Sequence, residues 1–446
     1  MAGSNKHNGK PPRIHITTLG CAKNVYDSEI LMGQLKARKA ELVDSPEEAD
    51  VVIINTCGFI HLAKQESVDA ILEAEQLKKQ DPSKKIVVCG CLSQRYAREL
   101  RRELPAVDAF FGTEDYQNIL KFLNFPDDTP PEYLFEQRYL TTRSHYAYLK
   151  ISEGCNHTCA FCAIPLMRGR HRSRPISQVV AEARMLAERG VKELILVAQD
   201  TTFYGVDLYQ KPRIVDLLEE LEQIEGLVWI RLHYLYPTTV PDELIAFMAR
   251  SSRVVPYLDM PIQHITDRML AIMKRGGSSR RIREIFELAR QRIPDVTLRT
   301  TLIVGHPGET DADFQALKAF VQEMEFDRLG VFTYSHEENT AAYAMEDLPE
   351  ALKEARYQEI MELQREISFR KNREWIGQTV AVMIDEVDPE NRLAFGRTRG
   401  DSPEIDNEVI LEDIPGDLAG GQIRQVTIVD ASEYELYGHV ERLNSS

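Results

Sequence analysis

Short apolar runs alternate with longer amphipathic stretches over residues 13–123. The runs at 14–19, 51–55 and 86–89 have the length and composition of buried parallel strands, and each leads into a polar turn. The clearest helical pattern follows the second run, over residues 61–79. Strands and helices that alternate in this way predict a small, doubly wound α/β sheet.

The same alternation occurs six times over residues 146–374, after a Pro- and Asp-rich stretch without clear period at 124–145 that we interpret as a linker. Six strand–helix units predict an incomplete parallel barrel, a partial (β/α)6 barrel. The predicted strands are 148–151, 194–198, 228–232, 255–258, 296–304 and 329–334. One predicted helix spans 177–189, with Ser177 as its N-cap and Gly190 as its stop, and a long one closes the segment over 350–374.

Residues 375–446 change character, because Val, Ile and Gly dominate and turn residues separate strand-like runs such as 379–384 and 423–429. This pattern predicts a small all-β barrel. The segment carries 15 Asp or Glu against 5 Arg and no Lys, a net charge of −10, whereas the whole chain carries −16. Such a field favours a basic partner.

The overall composition, 43% hydrophobic and 28% charged over 446 residues, is that of a soluble globular protein. No stretch approaches a membrane span, and the polar residues 1–12 predict a disordered tail. Seven cysteines in short motifs argue against a secreted disulfide framework. We therefore expect a cytoplasmic protein without a membrane partner.

The most informative motif is the spacing Cys-x-x-x-Cys-x-x-Cys formed by Cys155, Cys159 and Cys162. Three thiolates on one loop can hold a cubic iron–sulfur cluster and leave its fourth iron without a protein ligand, which makes that iron a chemical site. A zinc site that includes His157 is the alternative, although zinc knuckles favour Cys-x-x-Cys pairs. Unrelated core cysteines are a third interpretation.

Cys21, Cys57 and Cys91 each follow a predicted strand of the first sheet, at separations of 36 and 34 residues. The carboxyl ends of parallel strands meet at one edge, where such sheets bind their ligands. The spacing is compatible with a second three-cysteine cluster and also with three separate core cysteines. Cys89 lies inside its strand and is interpreted as core packing, although spacing alone does not exclude it as a ligand.

The segment 154–162, Gly-Cys-Asn-His-Thr-Cys-Ala-Phe-Cys, resembles the signature of radical S-adenosylmethionine enzymes. In those enzymes the open iron binds the amino and carboxylate groups of S-adenosylmethionine, and reduction releases a 5′-deoxyadenosyl radical. The resemblance implies that Cys155, Cys159 and Cys162 hold this cluster. The cofactor then carries the chemistry, and the protein positions it.

Together the three segments resemble the methylthiotransferases, which join an N-terminal cluster domain, a radical S-adenosylmethionine domain and a C-terminal TRAM barrel. The implied domains are 13–123, 146–374 and 375–446. Five stretches resemble the branch that modifies a ribosomal protein, at 19–24, 55–60, 90–95, 164–169 and 401–406.

This resemblance implies a post-translational modification, in which the β-carbon of an aspartate in the small-subunit ribosomal protein S-twelve gains a methylthio group. It implies two 4Fe-4S clusters, the second one on Cys21, Cys57 and Cys91. It also implies S-adenosylmethionine in two roles, as methyl donor to sulfur and as radical source, and a reducing electron-donor protein.

Two other functions compete with this one. The tRNA-base methylthiotransferases are the nearest rival, but a barrel with a net charge of −10 would repel a phosphate backbone and attract a basic ribosomal protein, so we expect no direct reading of nucleic acid. The acidic surface can also serve solubility alone. A non-enzymatic iron–sulfur electron carrier is disfavoured, because each incomplete triad leaves an iron open.

Four further residues carry weaker signals. Gln199, in the pair Gln199-Asp200, follows the second barrel strand, where this superfamily often contacts the amino group of S-adenosylmethionine, although the usual Gly-Gly-Glu is absent. Arg231 can pair with the cofactor carboxylate, and a structural salt bridge is the alternative. His306 stands where the similar family stretch usually has Phe. His264 has no assigned role, and a hydrogen-bonded structural histidine is the default.

Overall fold

The computed structural model describes residues 11–126 and 130–441, so most of the predicted tail lies outside the described residues. The chain divides into two compact units. Of the described residues, unit 1 comprises those up to 141 together with 153–156 and 162–172, and unit 2 comprises 142–152, 157–161 and those from 173 onward. Within the described ranges, no helix is long and apolar enough to cross a membrane.

Unit 1 is built on a five-stranded parallel sheet with the order β2-β1-β3-β4-β5. Its strands are β1 (Arg13–Thr18), β2 (Glu41–Leu42), β3 (Val51–Thr56), β4 (Lys85–Gly90) and β5 (Ala109–Phe110). The predicted α/β sheet is therefore confirmed. Every residue of β3 is buried, as expected for a central strand with both faces covered.

The helices of this sheet are α1 (Ala22–Ala37), α2 (His61–Gln80), α3 (Cys91–Glu103) and α4 (Tyr116–Phe122). Ile71 of α2 and Leu100 of α3 pack with Val52 and Val88 of the central strands in one apolar cluster. This packing fixes α2 and α3 against the sheet, and so fixes the loops from which they start.

Part of the predicted linker is folded, because residues Pro131–Gln137 form a 3-10 helix. Gln34 of α1 donates a hydrogen bond of 2.9 Å to the carbonyl of Leu134. Just beyond, Arg138 and Glu29 form a fully buried ion pair at 2.5 Å. This stretch is therefore attached to α1 rather than extended.

The strands that follow are β6 (Tyr146–Lys150), β7 (Ser152–Glu153), β8 (Arg172–Ser173), β9 (Glu193–Val197), β10 (Trp229–Leu232), β11 (Tyr257–Asp259), β12 (Thr297–Val304) and β13 (Arg328–Thr333). The strands β6, β9 and β10 form one parallel sheet, and β11, β12 and β13 form a second. A parallel bridge between Ile230 and Val254 links the two sheets. Six parallel strands in chain order confirm the predicted partial barrel.

The helices of this part are α5 (Ile164–Arg168), α6 (Ile176–Glu188), α7 (Val206–Tyr209), α8 (Ile214–Glu222), α9 (Asp242–Arg250), α10 (Asp267–Ile272), α11 (Ser279–Arg292), α12 (Asp311–Met324) and α13 (Glu350–Arg373). The predicted N-cap Ser177 is wrong, because α6 begins at Ile176 directly after Pro175. Proline has no N–H and a fixed φ, which suits the residue that enters a helix. Gly190, with φ +96°, follows the end of α6 as predicted.

The last five strands form a closed barrel with the order β14-β15-β16-β18-β17, which confirms the predicted C-terminal barrel. They are β14 (Thr379–Asp388), β15 (Leu393–Arg397), β16 (Glu408–Glu412), β17 (Ile423–Ala431) and β18 (Glu435–Val440). Their inward side chains, among them Val382, Leu411 and Ile428, make one apolar core.

The loop between β15 and β16 contacts the amino ends of the partial-barrel strands within unit 2. Asp401 accepts a hydrogen bond from Arg328 Nε at 2.9 Å. Asp406 lies 3.3 Å from Arg299 Nε and accepts from the Tyr257 hydroxyl at 2.6 Å. These contacts lie at the amino ends, so the opposite, carboxyl-end face holds the loops that carry candidate chemistry.

Candidate cluster-binding sites

The loops that carry Cys21, Cys57 and Cys91 lie against each other at the carboxyl edge of the first sheet. A Cβ added at Gly20 would lie 2.8 Å from the Cβ of Cys57, and one at Gly58 would lie 3.0 Å from the carbonyl carbon of Cys91. Only glycine permits these approaches, and Gly20 also has φ +92°. The structure therefore brings the three cysteine loops together.

Burial controls the ionisation of these thiols. Cys57 and Cys91 are buried, whereas Cys21 is exposed. Burial raises the pKa of the Cys57 thiol, and it raises the pKa of the Cys91 thiol to about 12 against the opposing charge of Arg168. Thiolates at such a place need a compensating cation, which bound iron supplies. Three thiols at one partly open edge fit a cubic cluster with one iron free of protein ligands.

Arg168, the last residue of α5, points its guanidinium into this edge. Its Nε donates to Cys91 Sγ at 3.3 Å. Its Nη1 pairs with Asp27 Oδ2 at 2.7 Å and with Glu153 Oε2 at 3.0 Å, and its Nη2 donates to the Asn24 side-chain oxygen. Sequence reasoning assigned no role to Arg168, although it lies in one of the stretches that carry the resemblance.

Cys89 is placed differently from the other cysteines of this sheet. It lies inside β4, opposite Asn55 of β3, and its carbonyl accepts from the Thr56 hydroxyl at 2.6 Å. Burial raises the pKa of its thiol to about 12. This environment agrees with the interpretation of Cys89 as core packing.

The second triad lies in an irregular loop between β7 and α5. Within unit 1, the Cys155 amide donates to the carbonyl of Gly169 at 3.0 Å. A Cβ at Gly154, where φ is +78°, would lie 2.2 Å from the carbonyl oxygen of Arg170. The start of the loop is thus held against the segment that ends it, and Cys155 and Cys162 are both half-buried.

Within unit 2, Cys159 is buried and faces a cation. Its Sγ lies 3.5 Å from Arg275 Nη1 and 3.8 Å from the Tyr236 hydroxyl. The guanidinium of Arg275 also lies 4.1 Å from the centre of the Tyr236 ring. A thiolate at Cys159 would therefore be stabilised by Arg275.

His157, the candidate fourth ligand of a zinc site, has other partners. Its ring stacks on Tyr236 at 3.6 Å between centroids, and its Nε2 lies 2.6 Å from Asp200 Oδ2. Among the described residues, no three His, Cys, Asp or Glu side chains converge as ligands of one metal ion do. A cubic cluster does not need that convergence, because each thiolate binds a different iron.

Gln199 and the guanidinium of Arg231, the two expected cofactor contacts, lie toward opposite ends of the barrel strands. Gln199 is half-buried just beyond the carboxyl end of β9. Arg231 pairs with Glu193, the first residue of β9, and donates to the carbonyl of Arg399 at 2.9 Å. The structure thus places Arg231 in the structural salt bridge that was its alternative, and Gln199 remains a cofactor candidate.

The two histidines near the end of β12 are both fully buried. His264 Nδ1 accepts from the amide of Ile265 at 2.9 Å, and its Nε2 lies 3.2 Å from Glu309, as in a structural histidine. Burial lowers the pKa of His306, whose ring lies 5.0 Å from that of Tyr334.

The chain has a parallel partial barrel, and the first strand of that barrel leads into the Cys-x-x-x-Cys-x-x-Cys loop. This fold and this loop together define the class of radical S-adenosylmethionine proteins. Three family models match the chain: an uncharacterised protein family, UPF0004, at residues 13–112, the radical SAM superfamily at 149–321, and the TRAM domain at 376–440.

Two curated relatives share nearly the whole chain. A protein of Christiangramia forsetii named ribosomal protein uS12 methylthiotransferase RimO is 49% identical over 96% of this chain and 94% of its own. The protein of the same name from Aquifex aeolicus is 47% identical over 96% of both chains. The chain therefore belongs to the RimO family of methylthiotransferases.

Solved structures support the fold alone. The radical S-adenosylmethionine methyltransferase TsrM from Kitasatospora setae superposes with a TM-score of 0.53, at 15% identity over 72% of both chains. The cobalamin-dependent enzyme OxsB gives a TM-score of 0.51, at 13% identity over 80% of this chain and 56% of its own.

Proposed function

We propose that this protein attaches a methylthio group to the β-carbon of an aspartate in the small-subunit ribosomal protein uS12. The observation that carries the proposal is the presence of two cysteine triads, each of three thiols rather than four, in a member of the RimO family. Three thiols per cluster leave an iron open for a substrate, which an electron carrier does not need.

In this proposal each triad holds one 4Fe-4S cluster. The auxiliary cluster is held by Cys21, Cys57 and Cys91, and the radical cluster by Cys155, Cys159 and Cys162. When bound, the clusters and S-adenosylmethionine supply the methylated sulfur and the radical that removes a hydrogen from the aspartate β-carbon.

The side chains around the triads orient the cluster ligands and contact the cofactor in this proposal. Arg275 and Tyr236 fix Cys159 from one side, and Asp200 and Tyr236 hold the ring of His157 in the same loop. Gln199, beyond the end of β9, is the proposed contact for the amino group of S-adenosylmethionine. The burial of Cys159 and Cys91 keeps water from the inner ligands.

The charge of the C-terminal barrel supports a protein substrate rather than tRNA. Glu390, Glu412 and Asp413 are exposed, and β16 places Glu412 opposite Leu393 at the start of β15, so these carboxylates lie at one end of the barrel. A negative surface attracts a basic ribosomal protein and repels phosphates. The tRNA-base reaction is therefore the second candidate.

The partners follow from the chemistry. Reduction of a cluster requires an electron, so a reducing donor protein is part of the proposal. Seven cysteines that form no disulfide within the described ranges and a ribosomal substrate both favour a reducing cytoplasm as the place of the reaction.

A direct competition tests the substrate. After anaerobic cluster reconstitution, the protein receives reductant, S-adenosylmethionine and an equimolar mixture of uS12 and bulk tRNA. Mass spectrometry should find the methylthio mass on an aspartate-containing peptide and none on nucleosides. A methylthio nucleoside would assign the chain to the tRNA reaction, and reducible clusters without any product would favour an electron carrier.

A further inference from the structure

Arg168 is a buried residue to which the proposed function assigns no role. It lies six residues after Cys162, at the end of α5, and its side chain is only 2% exposed. All of its described contacts lie in unit 1, and one of them is a cysteine sulfur from another part of the chain, Cys91, at 3.3 Å. Arg168 thus brings a buried positive charge to the sulfur of a proposed cluster ligand.

The other contacts of Arg168 fix the direction of that donor. Asp27 and Glu153 take up Nη1, and Asn24 takes up Nη2. Two carboxylates and an amide therefore hold the planar guanidinium by one side, and its Nε–H is left to face Cys91. Arginine stays protonated at any pH a protein meets, so this donor is permanent.

Helix α5 packs against the same edge. Met167 and Ala163 form a buried apolar cluster with Cys91, and the Thr113 hydroxyl donates to the carbonyl of Met167 at 3.2 Å. The segment that follows Cys162 is thus attached to the first sheet by both apolar and polar contacts. Within this attachment, Arg168 makes the hydrogen bond to the sulfur of Cys91, a proposed cluster ligand.

We propose that Arg168 is a positioning residue for the auxiliary cluster, which holds the sulfur of Cys91 in place and donates a hydrogen bond to it. The inference rests on the proposed role of Cys91 as a cluster ligand. A hydrogen bond to a ligand sulfur stabilises the reduced, more negative cluster, so Arg168 raises the reduction potential of the auxiliary cluster.

A merely structural role would give a different result, and the chain offers a matched control. Arg138 is equally buried in unit 1 and pairs with Glu29 at 2.5 Å, and the Arg138–Glu29 pair involves no cysteine. Removal of either arginine leaves a buried carboxylate without its partner and lowers stability. Only the removal of Arg168 should change the potential of the cluster.

The experiment uses the full chain with Cys155, Cys159 and Cys162 all replaced by Ala, so that only the auxiliary cluster assembles. Its midpoint potential is measured by a redox titration followed by electron paramagnetic resonance, together with iron content, in the parent and in Arg168→Met, Arg168→Lys and Arg138→Met. We expect Arg168→Met to lower the reduced-to-oxidised ratio at a fixed potential about tenfold, or about 59 mV for one electron. Arg168→Lys keeps the positive charge but loses the planar guanidinium, so its midpoint potential should lie between those of the parent and Arg168→Met.

The outcomes separate the two proposals. Unchanged potentials in both Arg168 variants at full iron content would overturn the role of Arg168 alone. Loss of the cluster in Arg168→Met, with retention in Arg138→Met, would support it, because Cys91 would then have lost its position. A parent that assembles no cluster would overturn the ligand assignment of Cys91 and this inference with it.

Discussion

The guanidinium Nε of Arg231 lies 2.8 Å from the carboxylate Oε1 of Glu193, and both side chains are fully buried. Arg397 of the C-terminal barrel donates to the second oxygen of the same carboxylate. One carboxylate therefore joins two barrel strands to the C-terminal barrel at the amino ends of the strands. This place is remote from the carboxyl ends, where Gln199 and Cys159 lie within the same unit.

Arg231→Met should therefore affect stability and not cofactor binding. Removal of one partner of a buried ion pair costs about 3–5 kcal/mol in the free energy of unfolding, and the low end is expected because Arg397 still pairs with Glu193. Denaturant unfolding measures this loss, and equilibrium dialysis of the reconstituted protein measures S-adenosylmethionine affinity. Weaker binding with unchanged stability would return Arg231 to the cofactor site, and Gln199→Ala is the positive control for weaker binding.

Asp200→Asn should loosen the radical-cluster loop. Asp200 holds His157 at 2.6 Å and also accepts from the amide of Thr202 at 3.0 Å. Loss of a charge-assisted hydrogen bond costs about 1.5–3 kcal/mol, so we expect iron loss to a chelator to be at least about tenfold faster. The decay of the visible absorption of a variant that retains only the radical cluster measures this rate. An unchanged rate would mean that His157 does not hold the loop.

Neighbouring cysteines of β4 and α3 should differ in iron binding. Cys91→Ala should lose about half of the iron, because one of two clusters loses a ligand, whereas Cys89→Ala should keep all of it. Iron and sulfide analysis after anaerobic reconstitution decides this. Equal losses in both variants would make Cys89 a ligand and would refute its assignment to the core.

Cys89 should also make the cluster-free protein less stable in alkali. Its folded-state pKa of about 12 lies above the ordinary value of 9.0, so the unfolded chain releases the thiol proton first as pH rises. The stability that Cys89 contributes is complete below about pH 9 and is lost between about pH 9 and 12, by at most about 1.4 kcal/mol per pH unit. Urea unfolding of the parent and of Cys89→Ala from pH 8 upward should show their difference shrinking. A difference independent of pH would mean that folding does not raise the pKa of Cys89, as for a thiol exposed to solvent.

Charge reversal on the C-terminal barrel should weaken substrate capture. Glu390 and Glu412 are exposed, and their replacement by Lys should raise the KM for uS12 several-fold with little change in kcat. The effect should diminish with added salt. The matched control reverses the exposed Glu73 and Glu99 of unit 1, which makes the same change in net charge and should leave KM unchanged. If both double replacements changed the KM equally, the acidic surface of the barrel would serve solubility and not substrate capture.

The three strands predicted for the first sheet were recognisable because each is a short apolar run. The two-residue strands β2 and β5 at its edges were not predicted, because they are too short to show a pattern. Both cysteine triads were visible as spacing. Arg168 was not assigned, because its contact with Cys91 spans 77 residues and depends on how α5 packs on the sheet. Arg231 had two interpretations, because a strand pattern does not say which charged partner a buried guanidinium meets. The N-cap at Ser177 failed because Pro175 sets the start of α6.

The measurement that tests the central claim most directly is mass spectrometry of uS12 after reaction with S-adenosylmethionine that carries a trideuterated methyl group. The parent and Cys89→Ala should both place a deuterated methylthio group on an aspartate, whereas Cys21→Ala and Cys155→Ala should place none. A labelled methylthio product that persists in either of the last two variants, or its absence from the reconstituted parent, would contradict the account.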